Sequence, residues 1–140
     1  MKSELRMRAK EIEEQLEQNK AVKAETMLEK GYVLGRFADT LRDYYYRYEI
    51  RMNPVSTPES LKWNHKILLK LNSQGKSLDN LFGLLHQTFR RNLKDLPYLH
   101  EEGQEYLRAL VESAYTISAD FKGEKFDKTF EEAFIYGLNR

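Results

Sequence analysis

Residues 21–52, AVKAETMLEKGYVLGRFADTLRDYYYRYEIRM, decide the fold of this chain. Their apolar side chains return at the intervals of one face of an α-helix, at Met27, Leu34, Phe37, Leu41, Tyr44 and Tyr48. The pattern predicts one helix from Ala21 to Met52, which would be roughly 45 Å long at 1.5 Å per residue. Asn53 and Pro54 end it, because proline cannot continue a helix.

The same periodicity continues on both sides of this helix, and no segment shows the sustained alternation of a strand. Five further helices are predicted. The first runs from Ser3 to Asn19, and the next begins at Thr57-Pro58 and ends at the turn that starts with Asn72. Two more run from Ser77 to Phe89 and from Glu101 to Phe121, and a short last helix follows the turn Lys122-Gly123-Glu124. The sequence therefore predicts an all-α protein, a single bundle of five to six helices with one long helix. With 140 residues, we expect one domain over residues 1–140.

From its composition, we expect the protein to be cytoplasmic. It has no cysteine, so a disulfide framework and cysteine-ligated zinc are excluded. Its first residues carry alternating charges instead of the apolar run of a secretory signal, and no window approaches the apolar length of a membrane span.

A basic stretch occupies residues 61–94, where Asp79 is the single acidic residue against Lys62, Lys66, Lys70, Lys76, Arg90, Arg91 and Lys94. The formal net charge of +1 hides it, because residues 95–140 hold ten acidic and five basic residues. Lys62, Lys66 and Lys70 recur every four residues and form one row on a helix. Such a row is either a solvated face or a surface for an external anion, and its self-repulsion favours the anion. Arg90, Arg91 and Lys94 extend this surface or complement a helix C-terminus.

Three adjacent tyrosines near the end of the long helix cannot all face one core, because consecutive helical residues lie about 100° apart. At least one of them covers the bundle edge, stacks on a partner subunit or stacks on an unpaired base. The first helix carries a narrow apolar stripe that suits packing on the bundle or on a partner. The candidate subunit contacts are thus Tyr44, Tyr45, Tyr46, Leu5, Ile12 and Leu16.

Two patterns typical of catalytic or metal sites have simpler interpretations here. Asp39 and Asp43 share a helix face, but Arg36 and Arg42 lie within reach, which favours ion pairing. The histidines, at positions 65, 86 and 100, are never three or four residues apart, as helical metal sites require. We therefore predict no enzyme activity, no metal and no cofactor, with a metal-dependent helical enzyme as a distant alternative.

Gly31 and Gly35 lie four residues apart on the long helix. Two glycines at this spacing leave a groove in which a second helix can approach closely, so we predict a packing role for them.

Several short motifs resemble one family. They are Tyr32-Val33-Leu34-Gly35-Arg36-Phe37, Asn64-His65, Lys70-Leu71, Leu96-Pro97-Tyr98-Leu99 followed by Glu101-Glu102-Gly103-Gln104, and Phe134-Ile135-Tyr136-Gly137. From Met27 to Gly137 the chain resembles the small subunit of a type I CRISPR Cascade effector, which is similar to the C-terminal helical bundle of the Cascade large subunit. The small subunits of type III effectors are also helical and basic.

This resemblance implies a non-catalytic antiviral-defence protein that packs in several copies along a guide RNA–protein complex. Its partners would be the large and backbone subunits, guide RNA, target DNA and other copies of itself. Arg36 and the row Lys62, Lys66 and Lys70 are carried over as contacts to the nucleic-acid backbone. The competing hypothesis is a stand-alone helical adaptor or interaction module whose basic face is merely solvated.

Overall fold

A computed structural model describes residues 2–52, 66–88 and 105–139, and the side chains within them other than those of residues 2, 44–52, 66, 67 and 88. These ranges contain six α-helices and no strand: α1 (Lys2–Glu17), α2 (Met27–Met52), α3 (Lys66–Ser73), α4 (Leu78–Thr88), α5 (Glu105–Ser118) and α6 (Lys128–Leu138). The predicted all-α class, with one long helix, is confirmed. None of the described helices is both long and apolar enough to cross a membrane.

Among the described helices, α2 and α6 form the most extensive contact, and glycines let their backbones approach closely. A side-chain carbon on Gly31 would lie 2.5 Å from the carbonyl oxygen of Phe130, and one on Gly35 would overlap the carbonyl oxygen of Phe134. From the other side, Gly137 of α6 meets the carbonyl oxygen of Tyr32 in the same way, at 2.7 Å. The prediction that Gly31 and Gly35 form a helix-packing groove is confirmed.

The start of α2 differs from the prediction, because the helix begins at Met27 and not at Ala21. Thr26 and Glu29 form a capping box: the Thr26 hydroxyl accepts from the Glu29 amide at 3.1 Å, and Glu29 Oε1 accepts from the Thr26 amide at 3.0 Å. The residues before it run across the bundle without helical structure, and the Val22 amide donates to the buried Ser113 hydroxyl at 2.7 Å. At 26 residues, α2 is about 39 Å long.

The apolar stripe of α1 packs on this bundle. Leu5 is 6% exposed, and Ile12 and Leu16 are 0% exposed, within a core shared with the other five helices. Their prediction as contacts to another subunit is therefore corrected, because the chain's own core already covers them. The helix ends at Glu17, two residues before Asn19, whose φ of 63° lets the chain turn away.

The remaining helices bury apolar residues at helical spacing. The core faces of α3 and α4 are Leu68, Leu71, Leu78, Leu81 and Leu85. A loop after α5 leads to Asp127, whose carboxylate accepts from the Phe130 amide at 2.8 Å and so caps α6. Helices α5 and α6 bury Leu107, Leu110, Ala114, Ile117, Phe130, Ala133, Phe134 and Leu138.

Candidate nucleic-acid interface

The described part of the basic stretch begins with α3, whose residues divide between the core and solvent. Leu68 and Leu71 are buried, whereas Leu69 is 61% exposed and Lys70 is also exposed. Lys66 is the first residue of this helix, one turn before Lys70. Burial of the two leucines therefore fixes which way α3 is rotated, and this rotation directs Lys70 to solvent.

The end of α3 brings further lysines to the same region. Gly75, at φ 68°, closes the helix: its amide donates to Asn72 O at 3.0 Å, and the Lys76 amide donates to Leu71 O at 2.9 Å. The carbonyl oxygen of Gly75 accepts a hydrogen bond from the ammonium group of Lys125, in the loop between α5 and α6. Lys76 and Lys125 are both exposed.

Several cations elsewhere in the described structure are paired with carboxylates. Arg8 contacts Glu29 at 2.5 Å, and Lys30 contacts Glu124 at 3.0 Å while lying 5.9 Å from the centre of the Phe121 ring. In contrast, neither Lys70 nor Lys76 forms an ion pair with any described residue. The exposed charge on this side of the bundle is thus left for solvent or for an external anion.

Arg36 does not lie with these lysines. Its guanidinium donates to Glu13 Oε1 at 3.1 Å, to Asp39 Oδ2 at 2.7 Å and to the carbonyl oxygen of Gly137 at 3.4 Å. The side chain is 15% exposed. Its prediction as a backbone contact is corrected, because these groups of the chain's own fold already take up its donors. Asp39 also accepts from Arg42 at 2.6 Å, so the predicted ion pairing of Asp39 is confirmed.

Two tyrosines complete this buried network around Glu13. Tyr32 donates to Glu13 Oε1 and Tyr106 donates to Glu13 Oε2, each at 2.6 Å. Burial and the Glu13 carboxylate raise the pKa of Tyr106 to about 12, against the opposing effect of Arg36. Burial alone lowers the pKa of Arg36, but Tyr106 and Glu13 outweigh it, and the pKa lies above its usual value. The network joins α1, α2, α5 and α6, and its groups satisfy one another, so its role is structural.

Several predicted site residues fall where the structure describes little or nothing. Lys62, Arg90, Arg91 and Lys94 lie outside the described residues, as do His65 and His100. Tyr44, Tyr45 and Tyr46 lie on the helical backbone of α2, but their side chains are outside the described set. The prediction that they contact a subunit or a base stays a prediction.

The described histidine belongs to an aromatic cluster. His86 Nδ1 lies 3.0 Å from the Tyr115 hydroxyl, and the imidazole stacks on Phe82 with ring centroids 5.8 Å apart. Phe82 also meets Tyr115 edge to face at 5.5 Å. His86 is therefore half-buried and held by its aromatic neighbours. Among the described residues, no group of histidine, aspartate and glutamate side chains is arranged to hold a metal ion.

Two clefts flank the N-terminal half of α1. One, of about 530 Å³, lies against the start of α2 and is lined by Met7, Arg8, Met27 and Glu29 among others. The other, of about 420 Å³, lies against α6 and is lined by Leu5, Arg6, Glu132, Ile135 and Tyr136. Neither cleft brings together the predicted nucleic-acid contacts, so the candidate site remains the lysine surface around α3.

Comparisons with known proteins add no relative: no protein-family description, curated protein or solved structure matches this chain.

Sequence reasoning missed two features of this region. The tyrosines that bind Glu13 are 19 and 93 residues from it in the chain, so no local spacing signals the network. In the sequence, Lys125 belongs to the acidic segment 95–140, but in the fold it lies beside the α3–α4 turn. Gly75 was the sequence signal for this contact with Lys125. A glycine that ends a helix exposes carbonyl oxygens to a nearby cation.

Proposed function

We propose that this chain is a non-catalytic small subunit of a CRISPR-guided, Cascade-type ribonucleoprotein. It packs there in more than one copy and contacts the backbone of target DNA or of the displaced strand through the basic face of α3. Pairing with the guide RNA supplies sequence specificity, so the protein needs only positive charge and shape at this surface. Antiviral defence in the cytoplasm is the corresponding cellular role.

One observation carries the proposal. Lys70 projects from α3 into solvent without a carboxylate partner among the described residues, whereas Arg8, Lys30, Arg36 and Arg42 are all held in ion pairs. Those ion pairs give each of these cations a counter-charge from its own fold, whereas Lys70 has none among the described residues. A phosphate backbone supplies that counter-charge and releases condensed counterions on binding. The all-helical architecture agrees with what the sequence resemblance implies.

Co-expression with the remaining subunits of a type I effector tests this function. The chain should be recovered in the assembled complex in more than one copy. A complex assembled without it should bind target DNA more weakly and still bind its guide RNA, because the guide is held mainly by other subunits.

The competing adaptor hypothesis predicts a different outcome for the same experiment. A chain that purifies alone as a tight monomer, and that no effector subunit retains, would replace the Cascade assignment with a stand-alone interaction module. Complexes with and without the chain would then have equal affinity for target DNA.

A further inference from the structure

Three exposed lysines from two distant segments of the sequence lie at the junction of the α3–α4 turn with the loop after α5. We name Lys76, Lys122 and Lys125 the loop patch. The Lys125 ammonium donates to the carbonyl oxygen of Gly75, the neighbour of Lys76. The backbone segments are joined as well, because the amide after Lys122 donates to Asp79 Oδ2 at 2.7 Å and the Leu78 amide donates to the Glu124 carbonyl at 2.8 Å.

Three carboxylates near the loop patch are already engaged. Glu124 is paired with Lys30 at 3.0 Å, Asp127 caps α6, and Asp79 accepts from the Gly123 amide. No lysine of the loop patch forms an ion pair with any described residue. Asp79 is the carboxylate that this junction holds in place, so its charge opposes the three lysines most directly.

We propose that the loop patch is a second contact surface for a phosphodiester backbone, adjoining Lys70 at the end of α3. This inference rests on the proposed function, because it extends the same nucleic-acid surface beyond the basic stretch. Flexible lysines with exposed ammonium groups suit contacts to phosphates that do not depend on base sequence. The loop after α5 therefore belongs to the basic side of the molecule, although its sequence segment has a net negative charge.

The main test replaces Lys76, Lys122 and Lys125 with glutamine together. Affinity for fluorescently labelled single-stranded and double-stranded DNA of unrelated sequences is then measured at several salt concentrations. We expect weaker binding by the same factor for every sequence. The slope of log affinity against log salt should fall by about 0.7 to 0.9 for each phosphate contact removed, and so by roughly 2 to 3 in the triple variant.

A smaller variant protects this test against a folding defect. Replacing only Lys76 and Lys122 with glutamine keeps the hydrogen bond from Lys125 that closes the α3 terminus. The fold is then undisturbed, and the slope should still fall by about 1.4 to 1.8.

A third variant changes affinity in the opposite direction. Asp79→Asn removes the negative charge of the junction but keeps a side-chain oxygen to accept from the Gly123 amide. We expect DNA affinity to rise several-fold. An unchanged or lower affinity in this variant, with the fold intact, would count against a polyanion site at the loop patch.

The control replaces Lys10, Lys20 and Lys23 with glutamine, because they are exposed and lie on or just after α1. It removes the same total charge, so an equal loss of affinity would overturn the inference in favour of a net-charge effect.

The matching variant of Lys62, Lys66 and Lys70 separates the two proposals. If the α3-row variant loses DNA affinity and the loop-patch variant does not, this inference alone is overturned. If only the loop-patch variant loses DNA affinity, the inference is supported and the α3 row is removed from the proposed function. No loss in either variant overturns both.

Discussion

At the residue scale, the close approach of α2 and α6 depends on the absence of side chains at three glycines. A methyl group on Gly35 would overlap the Phe134 carbonyl oxygen and lie 3.1 Å from the Leu138 amide nitrogen. Backbone atoms cannot move aside as a flexible side chain can, so the helices would have to separate. We expect Gly35→Ala to lower the free energy of unfolding by about 1 to 3 kcal/mol or more, measured by urea denaturation.

Gly83 provides the matched control for that prediction. It lies in α4, it is exposed, and an added side-chain carbon would meet nothing within 4 Å. Gly83→Ala should therefore raise the free energy of unfolding by about 0.5 to 1 kcal/mol, because alanine favours a helix over glycine. Equal effects from the two substitutions would show that α2 and α6 are not packed as described.

Also at the residue scale, Tyr106 gives the protein a pH-dependent stability in the alkaline range. Its pKa is raised from 10 to about 12 in the folded state. The folded protein thus keeps this proton where the unfolded chain has lost it. The stabilisation is complete below about pH 10 and is lost as the pH rises toward 12.

Comparison with Tyr106→Phe isolates this effect, because phenylalanine cannot ionise. We expect the free energy of unfolding of the unmodified protein to fall by on the order of 1 to 2 kcal/mol more than that of the variant between about pH 9 and 11.5. Denaturant unfolding at a series of pH values measures both curves. Parallel curves over this range would mean that Tyr106 is not buried against Glu13.

At the element scale, the first turn of α2 depends on Thr26 and Glu29. Burial alone raises the pKa of Glu29, but hydrogen bonds from Thr26 and Arg8 hold the pKa below its usual value. Thr26→Ala should lower the free energy of unfolding by about 1 kcal/mol. Thr26→Ser should lower it much less, because serine keeps the capping hydroxyl. Thr116→Ala, at an exposed position of α5, is the control and should change stability by less than about 0.5 kcal/mol.

The helices differ in how well the sequence predicted them, and the reasons are physical. Periodicity identified their type and core faces, because burial of an apolar stripe dominates helix stability. Helix α2 begins six residues after the predicted start at Ala21. Val22 and Ala24 also face the core without being helical, so they extend the apolar pattern beyond the helix. Thr26 and Glu29 were the overlooked boundary signal, at the spacing of a capping box.

The candidate site was harder to predict than the fold. The predicted lysine row rests on a four-residue spacing, so it can be read locally, and Lys66 and Lys70 do lie on α3. In contrast, the sequence signals only one partner of Arg36, Asp39, because Glu13 and Gly137 are 23 and 101 residues away. The stripe of Leu5, Ile12 and Leu16 was correctly identified as apolar, but sequence alone does not say whether an apolar face meets its own chain or another.

At the scale of the whole molecule, the described structure contains two kinds of charge. Partly buried ions around α1, α2 and α6 pair with one another and hold the helices together. Lysines around the ends of α3 and α4 face solvent without such partners. The first set helps to hold the fold together, and the second is available to a polyanion.

The salt dependence of nucleic-acid binding tests this division most directly. Replacing Lys62, Lys66 and Lys70 with glutamine should leave the free energy of unfolding within about 1 kcal/mol of the unmodified protein, since surface substitutions rarely change it more. Binding should weaken equally across DNA sequences, and the slope of log affinity against log salt should fall by up to roughly 2 to 3. A folded variant with unchanged affinity and unchanged slope would contradict the account and leave the row as a solvated face.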